Sequence, residues 1–205
     1  MIIGICGKSG SGKTTLANEI KKHTNKKVIH LEVDKVGHNV LSKPELKDTL
    51  IRTFGEKIIV EGKVSRKKVG EVVFNSRHEM DKLTEITWKE MQKEINDFLY
   101  KYRNDIVIID WLLLTKTKYF DMCDIKILLD IPYEVRRDRA MKRDNITEQE
   151  FDLREKATME YNPDEFDYVV KENIYEVTRK IGERIWQKFY IQEVLILLQK
   201  VIWIL

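Results

Sequence analysis

Residues 7–14 have the types and spacing of a phosphate-binding loop. They read Gly-Lys-Ser-Gly-Ser-Gly-Lys-Thr and fit the pattern G-x-x-x-x-G-K-[ST] at every specified position. Glycines let main-chain N–H groups turn toward an anion, and a helix that follows adds unpaired amides and its dipole. An apolar strand precedes the motif and a helical pattern follows it. The sequence therefore predicts a loop that binds a nucleoside triphosphate.

The motif assigns roles to its individual residues. Lys13 would reach the β- and γ-phosphates and act in catalysis, and the Thr14 hydroxyl would ligate Mg²⁺. Asp110 ends the apolar run of residues 106–110, where phosphate-loop enzymes place a second acidic residue for the metal. The predicted nucleotide contacts within the motif are Ser9, Gly10, Ser11, Gly12, Lys13, Thr14 and Thr15.

Asp34 follows the second apolar run and has two interpretations. At the carboxyl edge of a parallel sheet, its carboxylate could orient an acceptor hydroxyl and take its proton. Asp is also a favoured N-cap, and a helical pattern covers residues 35–41. The residue alone leaves both interpretations open.

Residues 136–143 are rich in arginine. Arg136, Arg139 and Arg143 are spaced to share one helix face, where three guanidinium groups repel each other unless an anion binds. The spacing favours a lid that closes over the triphosphate. The alternative is a solvated face whose arginines pair with neighbouring acidic side chains.

Apolar runs typical of buried parallel strands alternate with helical patterns. The runs cover residues 2–6, 28–33, 106–110, 125–130 and 168–170. The helical patterns cover residues 13–23, 44–54, 66–74, 78–100, 133–143 and 147–161. This alternation predicts an α/β fold: a five-stranded parallel sheet with helices on both faces, in three layers. Residues 1–35, 104–132 and 162–190 would form the core, 36–103 an inserted helical lobe, 133–161 the lid, and 191–205 a C-terminal apolar helix.

Composition limits the partners of the chain. Its 205 residues hold 37 basic and 34 acidic side chains, a net charge of +3, which is typical of a mixed surface and not of a nucleic-acid-binding protein. The apolar segment of residues 191–205 is shorter than the roughly 20 residues of a bilayer span. No signal peptide is recognisable, so we expect a cytoplasmic protein. Cys6 lies inside an apolar run and is an expected core residue. We expect the protein to be a monomer or a weak homo-oligomer.

Four blocks resemble the dephospho-coenzyme A kinases, a family of phosphate-loop nucleotide kinases. They are the phosphate loop, the Glu32-x-Asp34 motif followed by His38, the Arg66-led helix that ends in Val73-Phe74, and the segment that carries Arg139 and Arg143. The resemblance covers residues 2 to about 170. Departures occur at Trp88-Lys89, at residues 111–116, at Arg136 where the family has Gln, and near Lys156 where it has a later Gln.

The resemblance implies an ATP- and Mg²⁺-dependent transfer of phosphate to the ribose 3′-hydroxyl of dephospho-coenzyme A, the last step of coenzyme A biosynthesis. By this resemblance Asp34 is the base, His38 and Arg66 line the acceptor site in the lobe, Arg139 is catalytic and Arg143 binds ATP. A kinase for a nucleoside or nucleoside monophosphate is the alternative suggested by the departures. A nucleotide-dependent switch protein is a third reading, but the sequence has no guanine-selecting N/T-K-x-D motif.

Overall fold

The computed structural model describes residues 1–73, 76–156 and 158–202, with side chains up to residue 191. Two compact units divide the chain. The first combines the segment up to Leu31 with the segment from Asn104 onward, and the second is Glu32–Arg103.

The first unit is built on a five-stranded parallel sheet. The seven strands of the described chain are β1 (Ile2–Gly7), β2 (Val28–Glu32), β3 (Ile59–Val60), β4 (Lys63–Val64), β5 (Ile106–Asp110), β6 (Ile125–Leu129) and β7 (Tyr168–Val170). Five of them form the sheet, in the order β2-β5-β1-β6-β7. The strand β1 pairs in parallel with β5, with Ile5 opposite Asp110, and with β6 on its other side. The predicted α/β fold with a five-stranded parallel sheet is confirmed.

Nine helices are present in the described residues: α1 (Lys13–Lys22), α2 (Val33–Leu41), α3 (Pro44–Phe54), α4 (Arg66–Val73), α5 (Arg77–Lys101), α6 (Lys118–Asp121), α7 (Tyr133–Asp144), α8 (Glu148–Lys156) and α9 (Ile174–Ile202). In the first unit, α1 and α9 pack against each other. None of the described helices combines the length and apolar character needed to cross a membrane.

Apolar burial on both faces of the central strands holds the first unit together. Strand β5 is buried at all five positions, and β1 at all but its first. The core residues include Ile3, Ile5, Ile108 and Ile127, none of which exposes any surface. The predicted core residue Cys6 is also fully buried, and burial raises the pKa of its thiol to about 12. This rigid sheet fixes the loops that follow its strands.

The second unit has its own small core. Helices α3, α4 and α5 pack around Leu50, Ile58 and Val69, all nearly or fully buried. Helix α2 packs on α5, where Gly37 faces the Met91 side chain. Strands β3 and β4 form a short antiparallel hairpin. The Ser76 hydroxyl caps α5 by accepting from the N–H of Glu79.

Three predicted element boundaries differ from the structure by more than one residue. Helix α8 ends at Lys156 and not at residue 161. At residue 161 the chain makes a tertiary contact instead, since the Tyr161 hydroxyl donates to the Leu112 carbonyl at 2.7 Å, and Pro163 begins a short 3₁₀ turn. The C-terminal apolar segment is not a separate helix, since α9 continues through residue 191. Helix α2 begins at Val33, before Asp34. The predicted helix-ending Phe74 and residues 203–205 lie outside the described residues.

Candidate nucleotide and acceptor sites

The loop between β1 and α1 has the backbone of an anion-binding cradle. Gly10 (φ 78°) and Gly12 (φ 93°) adopt left-handed conformations that favour glycine. At Gly10 a Cβ atom would also collide with the main chain of Arg136. Helix α1 begins directly after Gly12 and has no acidic residue in its first turn. No side chain caps this end of α1, so its first main-chain amides can donate to an anion, which the helix dipole also favours.

Lys13, Thr14 and Asp110 meet at the end of this loop. The Lys13 ammonium group donates to the Gly7 carbonyl at 3.0 Å and lies 3.9 Å from Asp110 Oδ1. The Thr14 hydroxyl donates to Asp110 Oδ2 at 3.2 Å. Parallel pairing of β1 with β5 creates this meeting, because it places Asp110 opposite Ile5, two residues before the loop. Thr14 and Asp110 are 96 positions apart in the sequence and yet share one site.

The remaining loop residues differ in their surroundings. The Ser11 hydroxyl is buried, and within the described chain it has no hydrogen-bond partner. A buried hydroxyl without a partner costs free energy, so it is a feature that a bound ligand could satisfy. Ser9 is half-buried, and Thr15 is exposed on the first turn of α1.

His30 joins the Asp110 site, although sequence reasoning did not select it. Its side chain is 7% exposed, and its Nε2 lies 3.3 Å from Asp110 Oδ2. The distance suits a hydrogen bond but the alignment does not, so within the described residues Nε2 is buried and unpartnered. The only sequence signal was a polar residue inside the apolar run of β2, and that signal becomes meaningful only once β5 is known to lie beside β2.

Arg136 does not belong to an exposed arginine face, and that part of the lid hypothesis is wrong. Its side chain is 6% exposed and forms a two-pronged ion pair with Glu155 of α8, with both N–O distances at 2.8 Å. It also donates to the carbonyls of Ile131 (2.8 Å) and Ser9 (3.4 Å). Arg136, Arg139 and Arg143 do lie on one helix, α7, at the spacing of a shared face. That spacing could not show that α8 would cover the first of the three positions.

Lys8 extends this ion-pair network. Its ammonium group lies 3.2 Å from Glu155 and 2.6 Å from Glu160. Burial alone would lower the pKa of Lys8, but the two carboxylates raise it overall. The hydrogen bond from Arg136 lowers the pKa of Glu155, with Lys8 contributing in the same direction. The network therefore ties the phosphate loop to α7 and α8 with charged groups.

Arg139 and Arg143 are both exposed, but they have different environments. An atom placed as a Cβ on Gly12 would lie 3.8 Å from Arg139 Nη1, so this guanidinium group is beside the phosphate loop. In the part of the chain that the structure describes, Arg139 has no hydrogen bond or ion pair. Arg143 pairs with Asp144 at 2.7 Å, and this hydrogen bond helps to lower the Asp144 pKa to about 2. The solvated-face alternative thus describes Arg143 better than Arg139.

The second unit brings together two residues that are far apart in sequence. Arg66, at the start of α4, places its Nη2 3.0 Å from Nε2 of His38 on α2. A guanidinium group can only donate, so Nε2 of His38 accepts and its imidazole is neutral in this contact. Burial, followed by the Arg66 charge, lowers the pKa of His38, while Asp34 opposes this shift. Both residues predicted to bind the acceptor therefore lie at one place in this unit.

Asp34 lies in the first turn of α2, which begins at Val33 and is preceded by Glu32 in the N-cap position. The interpretation of Asp34 as an N-cap is therefore wrong. Its side chain is exposed and therefore accessible to a substrate.

Comparison with known proteins identifies the family. The family model described as dephospho-CoA kinase matches residues 1–172. The chain belongs to the dephospho-CoA kinase family. Members of this family are phosphotransferases, and the chain is accordingly an enzyme of that class.

Individual relatives agree with this membership. A dephospho-CoA kinase of Aquifex aeolicus is 31% identical over 193 residues, which cover 89% of this chain and 96% of that protein. A dephospho-CoA kinase of Fusobacterium nucleatum is 29% identical over 150 residues, covering 73% and 76% of the two chains. The resemblance to this family, which was stated from four sequence blocks, is confirmed.

Solved structures share the fold. A protein from Thermus thermophilus superposes with a TM-score of 0.70 at 23% identity, covering 94% of this chain and 97% of that one. A dephospho-CoA kinase from Campylobacter jejuni superposes with a TM-score of 0.54 at 19% identity, covering 91% and 96%. These likenesses support the phosphate-loop kinase fold of this family member.

Proposed function

We propose that this chain transfers the γ-phosphoryl group of ATP to the ribose 3′-hydroxyl of dephospho-coenzyme A. The observation that carries the proposal is the meeting of Lys13, Thr14 and Asp110 at a glycine-rich cradle, in a member of the dephospho-CoA kinase family. Phosphoryl transfer depends on positioning and on stabilising charge, and these groups are suited to both.

The nucleotide would bind at the phosphate loop. Main-chain amides of the cradle and of the first turn of α1 would bind the β-phosphate, and Lys13 would leave the Gly7 carbonyl for the β- and γ-phosphates. Arg139 would add positive charge from beside Gly12, where it acts on the transferring group. Arg143 would bind ATP from the last turn of α7 after exchanging Asp144 for a phosphate. Further contacts would come from Ser9, Gly10, Ser11, Gly12, Thr14 and Thr15.

The donor set at Thr14 and Asp110 fits Mg²⁺. This cation prefers oxygen ligands and keeps several waters, so one hydroxyl and one carboxylate at the phosphate loop match its needs. Held by Thr14 and Asp110, Mg²⁺ would supply positive charge that offsets the negative charge developing on the phosphates. Asp110 would hold the cation directly or through water.

The acceptor would bind in the second unit. Asp34 would take the proton of the 3′-hydroxyl as its oxygen bonds to the γ-phosphorus, and ADP would leave. Arg66 and His38 supply a cation and an imidazole for the anionic acceptor, and their 3.0 Å contact fixes their positions relative to each other. The long helix α5 would offer Trp88 to the pantetheine arm. The helical unit is thus the proposed acceptor lobe.

The reaction would take place in the cytoplasm, where ATP and Mg²⁺ are available. The enzyme would act as a monomer or weak homo-oligomer, since each proposed residue role is filled from one chain. Size-exclusion chromatography at several protein concentrations tests this state.

Release of ADP from MgATP against a panel of acceptors tests the function. The panel contains dephospho-coenzyme A, uridine, cytidine and cytidine monophosphate. We expect turnover with dephospho-coenzyme A and only background hydrolysis with the others. Turnover confined to a nucleoside or a monophosphate would contradict the acceptor assignment and leave the phosphate loop assignment standing.

Asp34→Asn provides the mechanistic control for this panel. The amide cannot accept the hydroxyl proton as a carboxylate does, so transfer should be lost while MgATP still binds. Asp48→Asn, on the exposed side of α3, is the matched variant and should retain parental turnover. Parental turnover by Asp34→Asn would show that Asp34 is not the base.

A further inference from the structure

We propose that His30 is a positioning residue for the Asp110 carboxylate. By donating from Nε2 to Asp110 Oδ2, it would hold this carboxylate in the orientation that binds the divalent cation. The inference rests on the proposed function, since it concerns the same cation, but it adds a residue on which neither the phosphate-loop motif nor the family blocks depend.

His30 has a buried polar atom that needs a hydrogen-bond partner. Its side chain is 7% exposed, and Nε2 is buried without a partner in the described residues. An unsatisfied buried polar group costs free energy, so a nearby acceptor should be used. Asp110 Oδ2 is an acceptor only 3.3 Å away, so the ring and the carboxylate need to change their relative orientation and not their separation.

The Asp110 carboxylate has two other neighbours, and both lie on the phosphate loop. Thr14 donates to Oδ2 at 3.2 Å, and Lys13 lies 3.9 Å from Oδ1. Both belong to the phosphate loop, and in the proposed function both turn to the nucleotide or its cation. Once they do, Asp110 loses these two contacts at the moment when its orientation matters.

His30 lies on β2 and not on the loop, so its contact with Asp110 does not compete with the nucleotide. The adjacent strands β2 and β5 fix both residues on one rigid sheet. Groups that hydrogen-bond a metal-binding carboxylate set its orientation, and their removal typically weakens metal affinity about 10–100-fold. His30 is therefore placed to keep the carboxylate oriented after Thr14 and Lys13 have turned away.

Mn²⁺ binding to the enzyme·ADP complex tests the proposal at one fixed pH. Electron paramagnetic resonance of free Mn²⁺ gives the dissociation constant without any turnover. His30→Leu removes the donor and should raise that constant about 10-fold or more. His30→Gln keeps an N–H donor at the reach of Nε2 and should stay within about 3-fold of the parent, whereas the shorter His30→Asn should be weakened like His30→Leu. Binding of ADP without metal should be unchanged in all three.

Thr178→Val, at a fully buried polar residue of α9, controls for a general loss of stability and should bind Mn²⁺ as the parent does. An unchanged Mn²⁺ affinity in His30→Leu would overturn the proposal. Should His30→Leu not fold, equal Mn²⁺ affinity in His30→Gln and His30→Asn would overturn it as well. Failure of Asp110→Asn to weaken Mn²⁺ binding would instead overturn the cation site of the proposed function, and His30 with it.

Discussion

Lys13 is the residue whose position in the structure relates most directly to its proposed role in phosphoryl transfer. Its side chain is 14% exposed, and its ammonium group donates to the Gly7 carbonyl, which positions it at the phosphate loop. A group that is positioned in advance adds charge stabilisation with little reorganisation.

Lys13→Ala should lower turnover about 10²–10³-fold, the usual effect of removing one contact to developing charge. The fold should persist, since Lys13 is a first-turn residue of α1 outside the core. Steady-state ADP release measures the effect, and Lys21→Ala, exposed on the same helix, is the control. Equal turnover in Lys13→Ala and the parent would refute the role of Lys13.

The contact between His38 and Arg66 has a predictable pH dependence. The folded-state pKa of His38 is lowered below its ordinary value of about 6.5, chiefly by burial and then by the charge of Arg66. The unfolded chain therefore binds a proton more readily, and stability is lost as the pH falls from about 6.5 through the folded-state pKa.

Urea unfolding of the parent and of His38→Gln at several pH values measures this. The stability of the parent relative to His38→Gln should be smaller at pH 5.5 than at pH 7.5. His78→Gln, at an exposed histidine of the same unit, gives the effect of replacing an imidazole elsewhere. If the stability of the parent relative to His38→Gln increased toward low pH, the pKa of His38 would not be lowered in the folded state.

At the scale of elements, α7 combines two tasks along its length. Its first half is fixed to the phosphate loop, because Gly10 packs on the main chain of Arg136 and Arg136 is paired with Glu155 of α8. Its second half carries the exposed Arg139 and Arg143. A helix anchored at one end can present arginines to a bound triphosphate without a separate lid.

Arg139→Ala should lower turnover by more than it weakens ATP binding, because its guanidinium group acts on charge that develops during transfer. Arg143→Ala should follow the same direction with a smaller effect, since Arg143 must first leave Asp144. Turnover and equilibrium ATP affinity are the two measurements, with the exposed Lys142→Ala as the control. Full activity in Arg139→Ala together with lower stability would make Arg139 structural.

Arg136→Ala should act on stability instead. Removing the guanidinium group leaves Glu155 partly buried, although Lys8 remains 3.2 Å away as a partner. We expect a loss of about 2–3 kcal/mol, less than for a buried charge with no partner left. Thermal unfolding measures it, and Arg154→Ala, which breaks an exposed pair with Asp144, is the control. A melting temperature unchanged in Arg136→Ala would show that the network does not stabilise α8.

At the scale of the whole molecule, the proposed substrates have their residues in different units. Lys13, Thr14 and Asp110 belong to the first unit, while Asp34, His38 and Arg66 belong to the second. Each unit has its own apolar core, so each can hold its residues by its own packing. Variants in the two units should therefore affect the two substrates differently.

Arg66→Ala should raise the KM for dephospho-coenzyme A about 10-fold, as for a charge-assisted contact of 1.4 kcal/mol or more, and leave the KM for ATP nearly unchanged. Lys67→Ala, exposed on the same turn of α4, is the control. Steady-state kinetics with each substrate varied in turn provides the readout. A rise confined to the KM for ATP would remove Arg66 from the acceptor site.

The sequence by itself determined the features that depend on local spacing. The phosphate loop, the strands around it and the start of α1 follow from glycine positions and apolar runs, because these act over a few neighbouring residues. Family membership was likewise readable from short blocks such as the one around Asp34 and His38.

Tertiary structure decided which distant groups meet. Parallel pairing of β1 with β5 brings Asp110 to Thr14, and the position of β2 beside β5 brings His30 to the same carboxylate. The burial of Arg136 under α8 could not be predicted from helical spacing either. Spacing shows which residues share a helix face, but it does not show which element packs on that face. The physical reason is the same in each case: hydrogen bonds and ion pairs depend on distances of about 3 Å in space, and the chain fixes those distances only after its strands and helices have packed.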